Sequence, residues 1–578
     1  MPYLMLVSIG PVQEFIASAR RSRDLWFGSW LLSELSRAAA VSILEHTKPA
    51  QLIFPAVDSL MDLNNGELNV ANKLIAVIEQ SPKEVGKAIE DAVCAKLMKI
   101  KDGAYSKLDH ALFDVATATT QVADLLEFFW VALPLGDYRA TRMQLESLLA
   151  ARKATREFNP VTWGKAVPKS SLDGQRESVI PESAFESLSE QVLRRRYGIR
   201  KGERLCGVGL LKRHGNRGAG DRFFSTSHVA ALPLIQRLTN PQAIGTYINE
   251  LRGLDVAEAD LGNVPRPSGQ WGHYDGHLLF EERLPEFFEA QDRAGLAQAR
   301  RSLKHFLDAV ADGKRPEPYY ALLLADGDRM GATIDHQPTL EAHRALSQHL
   351  VAFASQVRMI VETRHQGSLV YAGGDDVLAF VPLHTVLSCA NELAQQFYQQ
   401  LSGYTDENGH TPTLSVGVAV SHHLEPLSDA LELARSAEKR AKRDRNSLSV
   451  VVSKRGGGDR TVSGVWGTMD KRVDTLIDLH RLDAVPDSAA YELRDLAQRL
   501  NQAVLQPMLR AETVRILKRK RPVHGQVAIT DETLETLGEM IDAQRVTISQ
   551  LADELIVARV FADAADLANL PPPSTRGA

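Results

Sequence analysis

Two runs, YLMLVSIG from Tyr3 and YYALLLAD from Tyr319, are apolar at nearly every position. That pattern predicts strands covered on both faces. Around the second run the pattern is clearest. A helix is predicted over TLEAHRALSQHLVAFASQVRMIVETR and a pair of strands over SLVYAGG and DVLAFVPL. HTVLSCANELAQQFYQQL predicts a helix, TPTLSVGVAVSHH a strand, LSDALELARSAEKRAKR a helix and SLSVVVSK a strand. The order β-α-β-β-α-β with an added helix and strand is the split βαβ, ferredoxin-like pattern. Around the first run, a helical stretch with Pro11 near its start, further strands at NVANKLIAVI and EFFWVALPL, and a helix at MQLESLLAARKA predict another α+β unit over 1–160. Residues 161–220, rich in Gly, Ser, Lys and Arg, predict a small irregular insert. Residues 221–315 and 471–566 carry helical periodicity, RGGGD reads as a linker, and PPPSTRGA reads as a frayed tail.

The two α+β units echo each other weakly. Ser8 and Gly10 of the first stand in place of Asp326 and Asp328 of the second, so only the second can hold a metal in this way.

Composition narrows the picture. The 578 residues suggest roughly four domains. With 44% hydrophobic and 24% charged residues the chain is ordinary globular material, and its net charge of −5 excludes a uniformly basic coat while allowing local basic grooves. Three isolated cysteines exclude a disulfide framework and fit a reducing compartment. The apolar N-terminus lacks a basic leader and a cleavage site, and no run approaches a membrane span, so the expectation is a cytoplasmic protein without a membrane partner.

The candidate chemistry sits at Gly373-Gly374-Asp375-Asp376, between the paired strands. A hairpin turn needs only one such acid. In a split βαβ sheet, Asp326 at the end of the first strand lies near that turn. Converging carboxylates repel one another, and a hard divalent cation relieves the repulsion. Two such ions about 4 Å apart can activate an attacking hydroxyl and stabilise a leaving oxygen. Gly373 and Gly374 allow close approach of a phosphate or ribose. Asp328 reads either as a further ligand or as a cap on the next segment. The basic run AEKRAKRDRN closes a helix, and the Arg-rich SARRSRDLWFGSW reads first as an amphipathic helix with a basic solvent face, otherwise as an RNA or nucleotide surface. No P-loop, Cys-x-x-Cys pair or His-Asp dipeptide occurs.

The series YYALLLADGDRMGA, YAGGDDVLAF, TLSVGVAV and EPLSDALELARSAEKRAK resembles the palm of the large polymerase-like subunit of type III CRISPR effector complexes. LVSIGPVQEFIASARRSRDLWFGSWLLSEL, YDGHLLFEERL and SAAYELRDLAQRL resemble segments of its type III-B (Cmr) branch, so the resemblance covers nearly the whole chain. The palm is also similar to GGDEF cyclases, and in that comparison the phosphate-holding basic residues fall on Lys442 and Arg445. The resemblance implies two ferredoxin-like palms (1–160 and 316–456, the second with GGDD) and a degenerate zinc-ribbon-like insert (161–220). It adds a helical middle domain (221–315) and a helical C-terminal domain with a tail (457–578).

It implies a target-RNA-activated nucleotidyltransferase that makes cyclic oligoadenylates from ATP in antiviral defence. Asp326, Asp375 and Asp376 would be catalytic and hold two Mg2+ or Mn2+ ions. Gly373, Gly374, Asp328, Lys442 and Arg445 would meet the nucleotide, and the first palm would take the partner nucleotide. Partners would be the other Cmr-type subunits, crRNA, target RNA and ATP. Adenylation of S-adenosylmethionine, or an RNA-binding scaffold with an idle palm, are the alternatives. The family's HD nuclease domain has no counterpart in these residues, so nuclease activity is not expected. Ser170, Asp173 and Gly209 stand where three zinc cysteines would be, leaving only Cys206. No zinc is expected there, and packing alone should hold the insert.

Overall fold

The computed structural model describes residues 1–47, 51–57, 59–64, 69–155, 164–215, 223–262, 264–499, 506–519, 530–542 and 546–572. The expected domain limit at residue 160 and the last six residues of the tail lie outside the described residues.

Strands β1 (Tyr3–Gly10), β2 (Leu52–Phe54), β3 (Lys73–Ile78) and β4 (Glu127–Pro134) form an antiparallel sheet in the order β2-β3-β1-β4. The unbroken apolar run of β1 reflects its central place. Met5, Val7 and Ile9 enter one core with the helix Ser22–Glu45, and Leu4 and Leu6 enter another beneath the helix Tyr138–Ala154.

The second sheet contains β5 (Tyr319–Gly327), β6 (Ser368–Gly373), β7 (Asp376–Val381), β8 (Leu414–His422), β9 (Ser447–Val452) and β10 (Arg460–Val465), in the order β10-β9-β8-β5-β7-β6. Its β6-β7-β5-β8 portion repeats the strand order of the first sheet, which gives the weak sequence echo a physical basis. The helix Leu427–Asp444 makes the crossover between the parallel strands β8 and β9. Alternate β5 residues feed two cores: Ala321, Leu323 and Ala325 on one side, Tyr320 and Leu322 on the other.

Several boundaries differ from expectation. The sheet does not stop near residue 456, because RGGGD bends the chain back so that β10 pairs with β9. The C-terminal helices bury Leu476, Leu493, Leu551 and Leu555 in the core that lies under the second sheet, and the middle helices bury Val229 and Leu234 against its other face. The insert is irregular over 164–181 and then carries three short helices, Glu182–Ser187, Glu190–Tyr197 and Gly207–His214, while Leu193, Leu205 and Leu210 join the core of the first sheet.

Packing alone does not hold the insert. Arg213 bonds both oxygens of Asp24 at 2.7 and 3.0 Å and reaches Glu203 at 3.3 Å, all three buried. Asp24 also accepts the N–H groups of Arg20 and Arg21 at 3.2 and 3.1 Å. That cap divides the expected long first helix into Gln13–Ala17 and Ser22–Glu45. Where the resemblance suggested vanished zinc cysteines, Cys206 lies 3.8 Å from Asp173, accepts the Gly209 N–H at 3.3 Å, and Asp173 pairs with Arg176 at 3.0 Å. Arg21 and Arg23 of the basic helix are engaged within the fold, with Glu203 at 3.7 Å and the Gly215 carbonyl at 3.1 Å.

The two sheets meet through side chains. Tyr138 shares a 2.6 Å hydrogen bond with His343, Arg142 pairs with Asp335 at 2.5 Å, and the Ala56 N–H donates to Ser347 Oγ at 2.9 Å. Phe54, at the end of β2, packs against the core on each side of this junction.

Candidate metal and nucleotide site

The register of the second sheet builds the site. β7 runs antiparallel to β5 with Val377 opposite Ala325, so Asp376 and Asp326 meet one step further on. Gly373 pairs with Asp376 across a turn formed by Gly374 and Asp375. Gly374 has φ +67°, a backbone region that glycine enters without steric cost. One carboxylate oxygen from each of Asp326, Asp375 and Asp376 lies within 4.8 Å of the others.

Three like charges at this spacing resist ionisation. The Asp375 carboxyl is pushed up to about 7, first by burial and then by the charge of Asp326. Asp376 keeps an exposed edge, but surrounding protein withholds water from it; this, with its hydrogen bond to Asp326, raises it to about 9. Lys442 supplies the nearby cation. Its ammonium contacts the Asp326 carboxylate, donates to the Gly327 carbonyl at 2.6 Å, and stands 3.7 Å from Asp328. One lysine among three clustered acids leaves negative charge uncompensated, and an all-oxygen donor set of this kind suits Mg2+ or Mn2+.

Asp328 does not join the cluster. It is buried behind it, accepting from Thr413 at 2.7 Å, from Ser415 at 2.9 Å and from the Asn446 N–H at 2.8 Å. It thereby fixes the turn at Arg445 and Asn446, whose φ values are +58° and +44°, and so the end of the helix that carries Lys442. The Arg445 residue is exposed beyond that end.

Three features escaped the sequence reading. Gly327 packs directly against Asp375; the sequence ADGD holds the clue, a glycine between two acids at a strand end. Glu438, one turn before Lys442, is raised by burial and by Asp326. A cavity of about 830 Å³ lies between the first unit and this helix, lined by Glu14, Phe15, Glu127, Phe128, Lys212 and Arg435 among others. Arg435 precedes Lys442 by seven residues, roughly 10 Å along the same helix face. No local pattern signals this cavity, because distant segments form it.

The sheet order and the carboxylates at its end define a palm-type domain. Residues 319–449 match the family described as Cas10/Cmr2, second palm domain, and residues 4–102 match CRISPR-associated protein Cmr2, N-terminal. The chain is 25% identical over 552 residues to the CRISPR system Cmr subunit Cmr2 of Pyrococcus furiosus, an alignment covering 79% of this chain and 62% of that protein. Over these stretches the chain is similar to the Cas10/Cmr2 family. Its fold is similar to that of a chain in the cryo-EM structure of type III-B Cmr-beta in the apo state, with TM-score 0.62 and 14% identity over 92% of this chain and 78% of that one. A chain of Cmr-beta bound to cognate target RNA gives TM-score 0.58 and 14% identity, over 92% and 80%. Among the described residues, no helix is long and apolar enough to cross a membrane.

Proposed function

We propose that this chain is the nucleotidyltransferase subunit of a type III-B CRISPR effector complex, activated by target RNA and making cyclic oligoadenylates from ATP. The observation that carries the reading is the convergence of Asp326, Asp375 and Asp376 within 4.8 Å at the end of a palm sheet. An inert scaffold would gain nothing from charge clustered so unfavourably. In this reading the chain assembles with other Cmr-type subunits around crRNA, and the first unit is a second palm-like lobe that takes the acceptor.

Asp326, Asp375 and Asp376 would hold two divalent ions, which supply charge stabilisation for in-line attack on the α-phosphate and for departure of pyrophosphate. The Gly374 backbone, with no atom nearer than 3.9 Å to an added Cβ, leaves room for the donor nucleotide, whereas the space beside Gly373 is taken by Tyr371. Lys442 moves from carboxylate to phosphate as the nucleotide enters, and Arg445 meets the triphosphate from the helix end. Asp328 acts at one remove by holding Lys442 in place. The cavity beside Arg435 receives the acceptor, whose hydroxyl attacks. Catalysis of this kind works by position and charge.

A second reading concerns the acceptor. Glu14 and Glu127 border the cavity alongside Phe15 and Phe128. Those acidic and aromatic surfaces suit a cationic acceptor such as S-adenosylmethionine, whereas Arg176, Lys212 and Arg435 on the same walls suit a second triphosphate. Incubating the assembled complex with labelled ATP, with and without target RNA, tests both. A cyclic adenylate ladder supports the first reading, and a product requiring S-adenosylmethionine supports the second. The Asp375→Ala, Asp376→Ala double variant should lose synthesis and keep RNA binding. Synthesis surviving in that variant would remove the basis of the proposal.

A further inference from the structure

Tyr371 is a residue of this site that the metal arrangement leaves unused. It lies on β6, two positions before Gly373 and therefore on the same face. Its ring leans along the strand towards the turn. A Cβ added at Gly373 would collide with the Tyr371 hydroxyl and ring. Glycine at 373 thus makes room for the phenol. Asp376, the partner of Gly373 across the hairpin, stands beside it, and burial first, then the charges of Asp376 and Asp375, keep the phenol proton in place. Among the described residues no hydrogen bond involves the Tyr371 hydroxyl, and that oxygen is absent from the buried, unsatisfied atoms. It is a donor reaching the edge of a site otherwise rich in acceptors.

We propose that Tyr371 is a substrate-positioning residue, donating a hydrogen bond from its phenol to a phosphate oxygen of the nucleotide held at Asp326, Asp375 and Asp376. This rests on the nucleotidyltransferase reading. The carboxylates cannot bond an anionic phosphate directly, and Lys442 approaches from the β5 side, whereas Tyr371 approaches from β6. A neutral donor there fixes phosphate orientation without adding charge that would compete with the ions.

The test is Tyr371→Phe in the assembled complex, a change that keeps the ring and its packing. Equilibrium binding of a non-hydrolysable ATP analogue with Mg2+ should weaken about ten- to a hundredfold, as expected for one hydrogen bond to a charged group. KM for ATP should rise correspondingly, while Mn2+ affinity without nucleotide and the melting temperature stay at wild-type values. Analogue binding unchanged by the variant overturns the Tyr371 assignment alone. So does a variant whose Mn2+ affinity falls in step with nucleotide affinity, since the phenol would then be supporting a carboxylate. Failure of the wild-type complex to bind the analogue overturns this assignment together with the reading beneath it.

Discussion

Gly327 and Asp375 approach so closely that a Cβ on Gly327 would fall 2.8 Å from the Cβ of Asp375 and 2.9 Å from its Oδ2. The glycine is therefore a condition for the third carboxylate's position. Gly327→Ala should push Asp375 outwards, at a folding cost of about 1–3 kcal/mol typical of overpacking. The larger effect should be on metal: Mn2+ binding should weaken at least about tenfold, each tenfold step being about 1.4 kcal/mol. Titration of Mn2+ by electron paramagnetic resonance would check it.

The raised carboxyls of Asp375 and Asp376 set a pH dependence. Between an unfolded value of about 3.9 and folded values of about 7 and 9, the folded state binds more protons than the unfolded state. Stability of the metal-free protein should therefore fall as pH rises through that window. Melting in EDTA at pH 5 and pH 8 should show wild type losing more than Asp376→Asn, which carries no charge there. Mg2+ should narrow the gap at pH 8, and its affinity should rise with pH as protons are released.

Asp328 should behave as a structural residue with a catalytic consequence. Removing a buried carboxylate that satisfies Thr413, Ser415 and Asn446 leaves three donors without their acceptor. Asp328→Ala should cost about 2–4 kcal/mol, measured as a lower urea midpoint. At denaturant-free conditions the surviving folded fraction should still show reduced nucleotide affinity, because Lys442 loses its fixed helix end.

The insert gives a prediction of a different kind. Asp24→Ala would leave Glu203 as the one carboxylate facing both Arg213 and Arg21, so that buried positive charge is uncompensated at a cost of about 3–5 kcal/mol. A zinc chelator should leave the wild-type melting temperature unchanged. A fall with the chelator, restored by zinc, would contradict the polar network around Asp173 and Cys206 as the insert's support.

Much of the second unit was legible because its strands are long, apolar and separated by turn residues. The hairpin at Gly374 and the meeting of Asp326 with Asp376 follow from strand pairing alone. β2 was not legible: three residues, Leu52–Phe54, are too few to show a period. β10 was hidden because Arg460–Val465 has apolar residues only at Val462 and Val465, three positions apart rather than two, after a glycine run that reads as a linker. The role of Asp328 was open because a carboxylate two residues from a candidate ligand looks like another, and only its burial against β8 and the Asn446 turn shows that it sits behind the cluster. Arg213 and Asp24 are 189 residues apart, a separation at which local pattern carries no information.

Phe54 stands at the end of the shortest strand, and the nearest atom to a Cβ placed on Gly374 is its Cζ, at 3.9 Å. A single aromatic ring at the edge of one sheet thus packs into the core of the other and faces the open side of the acidic turn. A tilt of the first lobe, whatever molecule imposes it, would carry this ring towards the turn or away from it. The gap between ring and turn is in this sense a gauge of how the two lobes are seated.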